Sequence, residues 1–107
     1  RASSNVAPQS LLIMNSDFMV DYSQAFAAHI IKQSNNSLED QIRLAWKTTY
    51  AERPTVENLQ SLLSFMNTQI AQFKSEDTKL DDQAAQRKAF EVLCQALLGS
   101  NQFLYID

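Results

Sequence analysis

The chain has 107 residues, nine Lys/Arg against twelve Asp/Glu, a formal net charge of −3 and 45% hydrophobic residues. This composition is typical of a globular domain and too apolar for a disordered chain. The longest apolar run, Leu11–Met14, is far short of the ~18 residues that a membrane-spanning helix needs. One Gly and two Pro argue against turn-rich β architectures. The single Cys cannot form an internal disulfide, and the single His argues against a multi-histidine metal site.

The N-terminal third predicts an extended lead-in followed by helix. Residues 1–7 are small and polar. Pro8 suits the first turn of a helix, so residues 9–14 should form one or two apolar turns. The capping residues Asn15-Ser16-Asp17 predict a break and a new helix over 17–33. Its apolar positions recur at spacings of three and four and predict the buried face: Phe18, Tyr22, Ala25, Phe26, His29 and Ile30.

Two helices should follow, separated by a proline. Ser37 and Asp40 resemble a capping box that opens a helix over 38–50, with a buried face formed by Ile42, Ala45, Trp46 and Thr49. Arg53-Pro54 should end this helix, because the residue before a proline is pushed out of the α region. Thr55 is a predicted N-cap for a helix over 56–73. That helix has the clearest apolar stripe in the chain: Val56, Leu59, Leu62, Leu63, Met66, Ile70 and Phe73.

A charged connection over 74–82 precedes the last predicted helix, 82–98. Its inward positions should be Ala85, Ala89, Val92, Leu93, Ala96 and Leu97. Gly99 should stop this helix as a left-handed residue after its end, and the short tail 101–107 should dock Phe103 and Tyr105 on the bundle. The prediction is an all-α fold, a small bundle of about four mostly antiparallel helices in one domain over 1–107. Because the chain starts with Arg1 and not Met, we expect it to be a fragment or a processed product of a larger protein.

The sequence contains few candidates for catalytic, metal-binding or nucleic-acid-binding residues. A general base needs an orienting carboxylate, and a nucleophilic thiol needs an electropositive, accessible setting; we expect His29 to be a half-buried packing residue and Cys94 to be structural. The acidic pairs, such as Asp81-Asp82, lack the alternate spacing and the glycine of a calcium loop, so they should be solvated helix ends. The helix over 56–73 lacks basic residues, which argues against nucleic-acid binding. We therefore predict no catalytic residue, no cofactor, no metal site and no membrane insertion.

Three other residues have two interpretations each. Trp46 and Phe65 could line a ligand slot, but aromatic residues on such faces usually belong to the core. Arg53, close to the end of the preceding helix, should hydrogen-bond its last carbonyls or pair with a carboxylate.

Three segments carry a family resemblance: Ala7–Ser16 (APQSLLIMNS), Trp46–Leu59 (WKTTYAERPTVENL) and Phe90–Asp107 (FEVLCQALLGSNQFLYID). Their order and spacing resemble the C-terminal part of the planctomycete-type DUF1553 (PSD1) family. Its members usually follow a DUF1549 domain, and often a cytochrome-c-like domain, in large exported proteins. The sequence departs from the family pattern at Gly99, where Asn is usual, and at Ala51-Glu52, where a Leu-Gly pair precedes the arginine.

The resemblance implies a helical terminal domain of an exported, periplasmic protein, and it supplies no catalytic residues. Our first hypothesis is a non-enzymatic helical interaction or structural module that packs on the upstream domains of its own parent or on another protein. It predicts an exposed apolar patch on the bundle. A second hypothesis is an accessory domain that lines the active site of a parent enzyme acting on carbohydrate or another extracytoplasmic substrate. A third is a scaffold for a haem-containing electron-transfer domain, although the chain itself has no CxxCH motif.

Overall fold

The computed structural model describes residues 17–34 and 37–105, with side chains described as far as Ser100. These residues form four helices and no strand, which confirms the all-α fold. The helices are α1 (Asp17–Gln33), α2 (Leu38–Tyr50), α3 (Val56–Glu76) and α4 (Asp82–Tyr105). The predicted lead-in 1–7, the apolar turns over 9–14 and the last two residues lie outside the described part of the chain.

The starts of α2 and α3 are fixed by side-chain caps, as the sequence predicts. The Ser37 hydroxyl accepts a hydrogen bond from the backbone N–H of Asp40 at 3.4 Å, and the Thr55 hydroxyl accepts one from Asn58 at 3.0 Å. Each cap satisfies one backbone donor that the first turn of a helix leaves without a partner. The Asp40 carboxylate does not complete a capping box and lies instead 3.6 Å from the Arg43 guanidinium.

The end of α2 has a different cause from the one predicted. The helix stops at Tyr50, before the Arg53-Pro54 pair, because Ala51 adopts the left-handed conformation with φ 61° and ψ 23°. The Ala51 N–H donates to the Lys47 carbonyl at 2.8 Å and so satisfies one of the last carbonyls of the helix. Ala51 is a non-glycine residue at positive φ, a conformation that a Cβ atom disfavours.

α3 and α4 are both longer than predicted. α3 continues past Phe73 to Glu76. α4 passes through Gly99, which is buried and helical, and ends at Tyr105. The prediction that Gly99 stops the helix is therefore wrong: glycine is permissive at positive φ but does not require it. Backbone over 101–105 is helical, and the predicted docking of Phe103 and Tyr105 concerns side chains outside the described ones.

The core lies around α4, which packs against each of the other three helices, while α1 and α3 make no helix–helix contact within the described residues. The largest fully buried side chains are Phe90, Ile30, Ile42, Met66 and Leu93. The predicted inward face of α2 is confirmed, with Trp46 half-buried. The predicted inward face of α3 is confirmed except at Val56, which is exposed. In α4, Ala96 is exposed, whereas Phe90, absent from the predicted inward set, is fully buried.

The predicted face of α1 is confirmed at Ile30, which is buried, and at Phe26, which is half-buried against the core. It is wrong at the four other positions, which are exposed: Phe18, Tyr22, Ala25 and His29. The residues that pack inward are Met19, Ser23, Ala27 and Ile30, at spacings of four, four and three. The polar member of this set is accommodated because the Ser23 hydroxyl donates to the Met19 carbonyl at 2.7 Å. The predicted stripe is mostly outward: Phe18 is 69% and Tyr22 50% exposed. α1 therefore carries two stripes at helical spacing that meet at Ile30, and the bundle buries the one that begins at Met19.

Candidate functional site

His29 lies on the exposed side of α1, so the prediction of a half-buried packing residue is wrong. It follows Tyr22 and Ala25 on the stripe that the bundle leaves outward, because side chains three or four residues apart share one side of a helix. No hydrogen bond or ion pair to His29 is formed within the described part of the chain. The imidazole is therefore placed on a surface and not beside a carboxylate that would orient it for catalysis.

Cys94 lies in the core, fully buried, among the apolar residues of α4. Burial raises the pKa of its thiol to about 12, and the negative charge of Glu91 adds to this rise. A thiol in such a setting stays protonated at neutral pH, whereas nucleophilic cysteines depend on the thiolate. The geometry is that of a packing residue.

The acidic pairs lie at helix ends and on helix surfaces. The Glu39 carboxylate lies 3.3 Å from the guanidinium of Arg43, and Asp82 pairs with Lys74 of α3. The Asp81 carboxylate accepts a hydrogen bond from the Ala84 N–H at 2.7 Å and so caps the start of α4. Among the described residues, no three or more His, Cys, Asp or Glu side chains group so that they could hold a metal ion.

Arg53 does not make the contacts predicted for it. It is exposed and forms neither a hydrogen bond nor an ion pair with the described residues, and the Ala51 N–H occupies the Lys47 carbonyl instead. The Arg53 side chain borders a shallow cleft of about 380 Å³ that also includes Arg43 and Lys47.

Trp46 and Phe65 are half-buried and pack against the core. The Trp46 ring lies 4.6 Å from the Tyr50 ring, with 55° between the two planes. The indole N–H is buried without a hydrogen-bond partner in the described structure. These contacts agree with a core role for both residues.

The α1 aromatic face consists of Phe18, Tyr22, Ala25 and His29, all exposed. The rings of Phe18 and Tyr22 are parallel, with their centroids 6.2 Å apart. They lie in the first two turns of α1 and are the largest exposed aromatic surface of the described residues. An exposed aromatic pair of this kind marks an interaction surface more often than scattered single apolar residues do.

A family model for a protein of unknown function, PSD1 (DUF1553), matches residues 1–66. The chain belongs to the PSD1 family. The matched residues include the opening and central motifs of the sequence analysis, and the closing motif lies beyond them. In this PSD1 chain the central motif builds the connection from α2 to α3, with Ala51 as the end of one helix and Thr55 as the cap of the next.

A search of curated proteins found no match to this PSD1 chain, and neither did a search of solved structures. Within the described residues, none of the four helices is long and apolar enough to cross a membrane.

Sequence reasoning did not single out the glutamines Gln41, Gln83 and Gln86, which border one groove between helices. The sequence held one signal, since the spacing of three between Gln83 and Gln86 places them on one side of α4. Gln41 gave none, because a polar residue in the first turn of a helix is expected to face solvent.

Proposed function

We propose that this PSD1 chain is a non-enzymatic helical interaction module of a larger exported protein, and that it docks through the α1 aromatic face onto the upstream part of its own parent. The observation that carries the proposal is the outward placement of Phe18 and Tyr22. Together the exposed parts of the two rings amount to roughly 250 Å², from the ~150–250 Å² that an aromatic side chain can bury. Covering that area would contribute up to about 6 kcal/mol before the costs of association.

The upstream polypeptide is the favoured occupant because of where the face begins. Phe18 is the second residue of α1, so the aromatic face begins where the described part of the chain begins. The nearest upstream apolar segment, Leu11–Met14, is only three residues away along the sequence. Extended chain covers about 3.3–3.6 Å per residue, so an upstream domain can reach this face without a long linker.

The non-enzymatic part of the proposal is supported by the placement of the two most reactive side-chain types. The only cysteine is sealed in the core with a raised pKa, and the only histidine is on an open surface. Export is supported by the family resemblance alone. Fractionation of the source bacterium with an antibody against this chain tests it, and recovery in the cytosolic fraction would contradict it.

Docking is tested by calorimetric titration of the 107-residue chain with the separately expressed upstream part of the parent protein. We expect saturable binding with a negative heat-capacity change, which marks burial of apolar surface. The double variant Phe18→Ser/Tyr22→Ser should weaken binding at least about tenfold, a loss of 1.4 kcal/mol or more. Val56→Ser is the matched control, because Val56 is 72% exposed on a different helix.

Two results would overturn the docking proposal. One is the absence of heat at high micromolar concentration of both components. The other is binding that the double variant at Phe18 and Tyr22 leaves unchanged or that Val56→Ser weakens equally, since either would place the contact elsewhere on the bundle.

A further inference from the structure

A groove of about 490 Å³ lies between the end of α1, the first turn of α2 and the first two turns of α4. Its walls combine the aliphatic side chain of Ile31 with the amides of Gln41, Gln83 and Gln86. The groove is separate from the α1 aromatic face and shares no residue with it.

Gln41 is the feature that distinguishes this groove. The residue is only 5% exposed, yet its side-chain amide makes no hydrogen bond within the described structure. Its backbone N–H is satisfied by the Ser37 carbonyl at 3.1 Å. The amide is not fully enclosed and keeps a narrow access to solvent. A polar group with so little access to water and no protein partner is unfavourable. Since Gln41 lines the groove, a ligand seated there can supply that partner.

The charged groups at the rim already have partners. Asp82 pairs with Lys74, and the Arg87 guanidinium lies 3.2 Å from the Glu91 carboxylate. The groove is therefore close to neutral. The polar groups of the groove that have no protein partner are the amides of the nearly buried Gln41, the half-buried Gln86 and the exposed Gln83. Each amide offers both donors and an acceptor. The complementary ligand is neutral and also offers both.

We propose that this groove binds an extended peptide segment through its main-chain amides. A peptide amide pairs with a glutamine amide through one N–H and one C=O from each side. A saccharide fits less well, since sugar faces usually stack on an accessible aromatic ring, and the aromatic residue of this groove, Phe90, is fully buried. From Gln83 to Phe90 the wall is seven residues of helix, about 10 Å long, which matches about three residues of extended chain.

The test is nuclear magnetic resonance of the full 107-residue chain labelled with ¹⁵N, with the side-chain amide signals of the glutamines assigned. The probe is a neutral trialanine capped by acetyl and methylamide groups, titrated to millimolar concentrations. We expect saturable shifts of the Gln41, Gln83 and Gln86 amides and no shift at Gln72, which is exposed on α3.

Gln41→Met keeps the length of the side chain and removes its amide. It should weaken trialanine binding about three- to tenfold, the worth of one or two hydrogen bonds, and it should also raise the urea midpoint of the free chain. A purely structural glutamine would lower that midpoint when replaced. Gln72→Met is the matched control and should change neither quantity.

Three outcomes would overturn the peptide proposal. The first is that trialanine leaves the glutamine signals unchanged. The second is that cellobiose shifts these signals while trialanine does not, which would assign the groove to saccharides. The third is that the Gln41→Met variant binds trialanine as tightly as the natural chain. None of these depends on the α1 aromatic face, so the docking proposal stands or fails separately.

Discussion

One substitution should relieve the unfavourable backbone at the end of α2. Ala51 has φ 61° and ψ 23°, and a left-handed conformation costs a residue with a Cβ roughly 1–2 kcal/mol. Glycine avoids that cost but loses about 0.5–1 kcal/mol more backbone entropy on folding than alanine does. Ala51→Gly should therefore raise the free energy of unfolding by roughly 0.5–1 kcal/mol, and Tm by about 2–8 °C in a domain of this size.

Urea denaturation followed by Trp46 fluorescence measures this change. Trp46 is the only tryptophan, and its ring contacts Tyr50, the residue before Ala51, so its emission reports on this end of the helix. Ala71 provides the control: it is exposed within α3, and Ala71→Gly should lower stability by about 1 kcal/mol.

The sign of the change in the free energy of unfolding on Ala51→Gly decides whether residue 51 is in the left-handed conformation. Ala51→Asn should lie between alanine and glycine, because asparagine tolerates the left-handed region. If Ala51→Gly destabilises the chain as Ala71→Gly does, Ala51 is not in the left-handed conformation and the explanation of the end of α2 is refuted.

Three further predictions concern the core, a cap and an ionisable group. Phe90→Ala should lower the free energy of unfolding by about 3–5 kcal/mol through the cavity that it leaves, whereas Phe18→Ala should change it by less than ~0.5 kcal/mol in urea denaturation. Thr55→Ala should cost about 1 kcal/mol and Thr55→Ser little, since serine restores the cap; equal losses would contradict the capping role. Because the folded chain holds the Cys94 proton up to about pH 12 against an ordinary pKa of 9.0, stability should fall above pH 9, by at most about 1.4 kcal/mol per pH unit. Cys94→Ala should lose that part of the slope, and an unchanged slope would refute the raised pKa.

The parts of the fold that the sequence predicts well are those decided locally. Helix starts depend on a side chain and a backbone N–H three residues later, so Ser37 and Thr55 could be recognised from residue type alone. The stripe of α3 is unambiguous because polar residues occupy the other sides of that helix.

The buried side of α1 could not be predicted, because both of its stripes satisfy helical spacing. Phe18 and Tyr22 have larger apolar surfaces than Ser23 and Ala27, which are buried in their place. Burial of Ser23 depends on a hydrogen bond within the helix to the Met19 carbonyl, and periodicity cannot register that bond. The stripe of α1 that faces inward depends on how α1 packs against the side chains of α4, which are far away in the sequence.

The candidate sites follow the same division between local and distant information. The exposed aromatic residues of α1 are visible in the sequence, but their helical spacing predicts a place in the core. The groove needs Gln41 from α2 and Gln83 and Gln86 from α4, more than 40 positions apart. Only the packing of those two helices brings the three amides together.

The extent of the PSD1 match bears on which of these surfaces belongs to the family. The match ends at Met66, a fully buried residue within α3, and so stops before α4. Yet α4 contacts every other helix and supplies Phe90, Leu93 and Cys94 to the core. The matched residues alone therefore lack the element on which the bundle is built, and we infer that they do not fold without it.

The α1 aromatic face lies wholly inside the matched residues, whereas the peptide groove crosses their boundary. Docking on the parent is thus a proposal about residues that the family model matches, whereas peptide binding also depends on residues beyond the match.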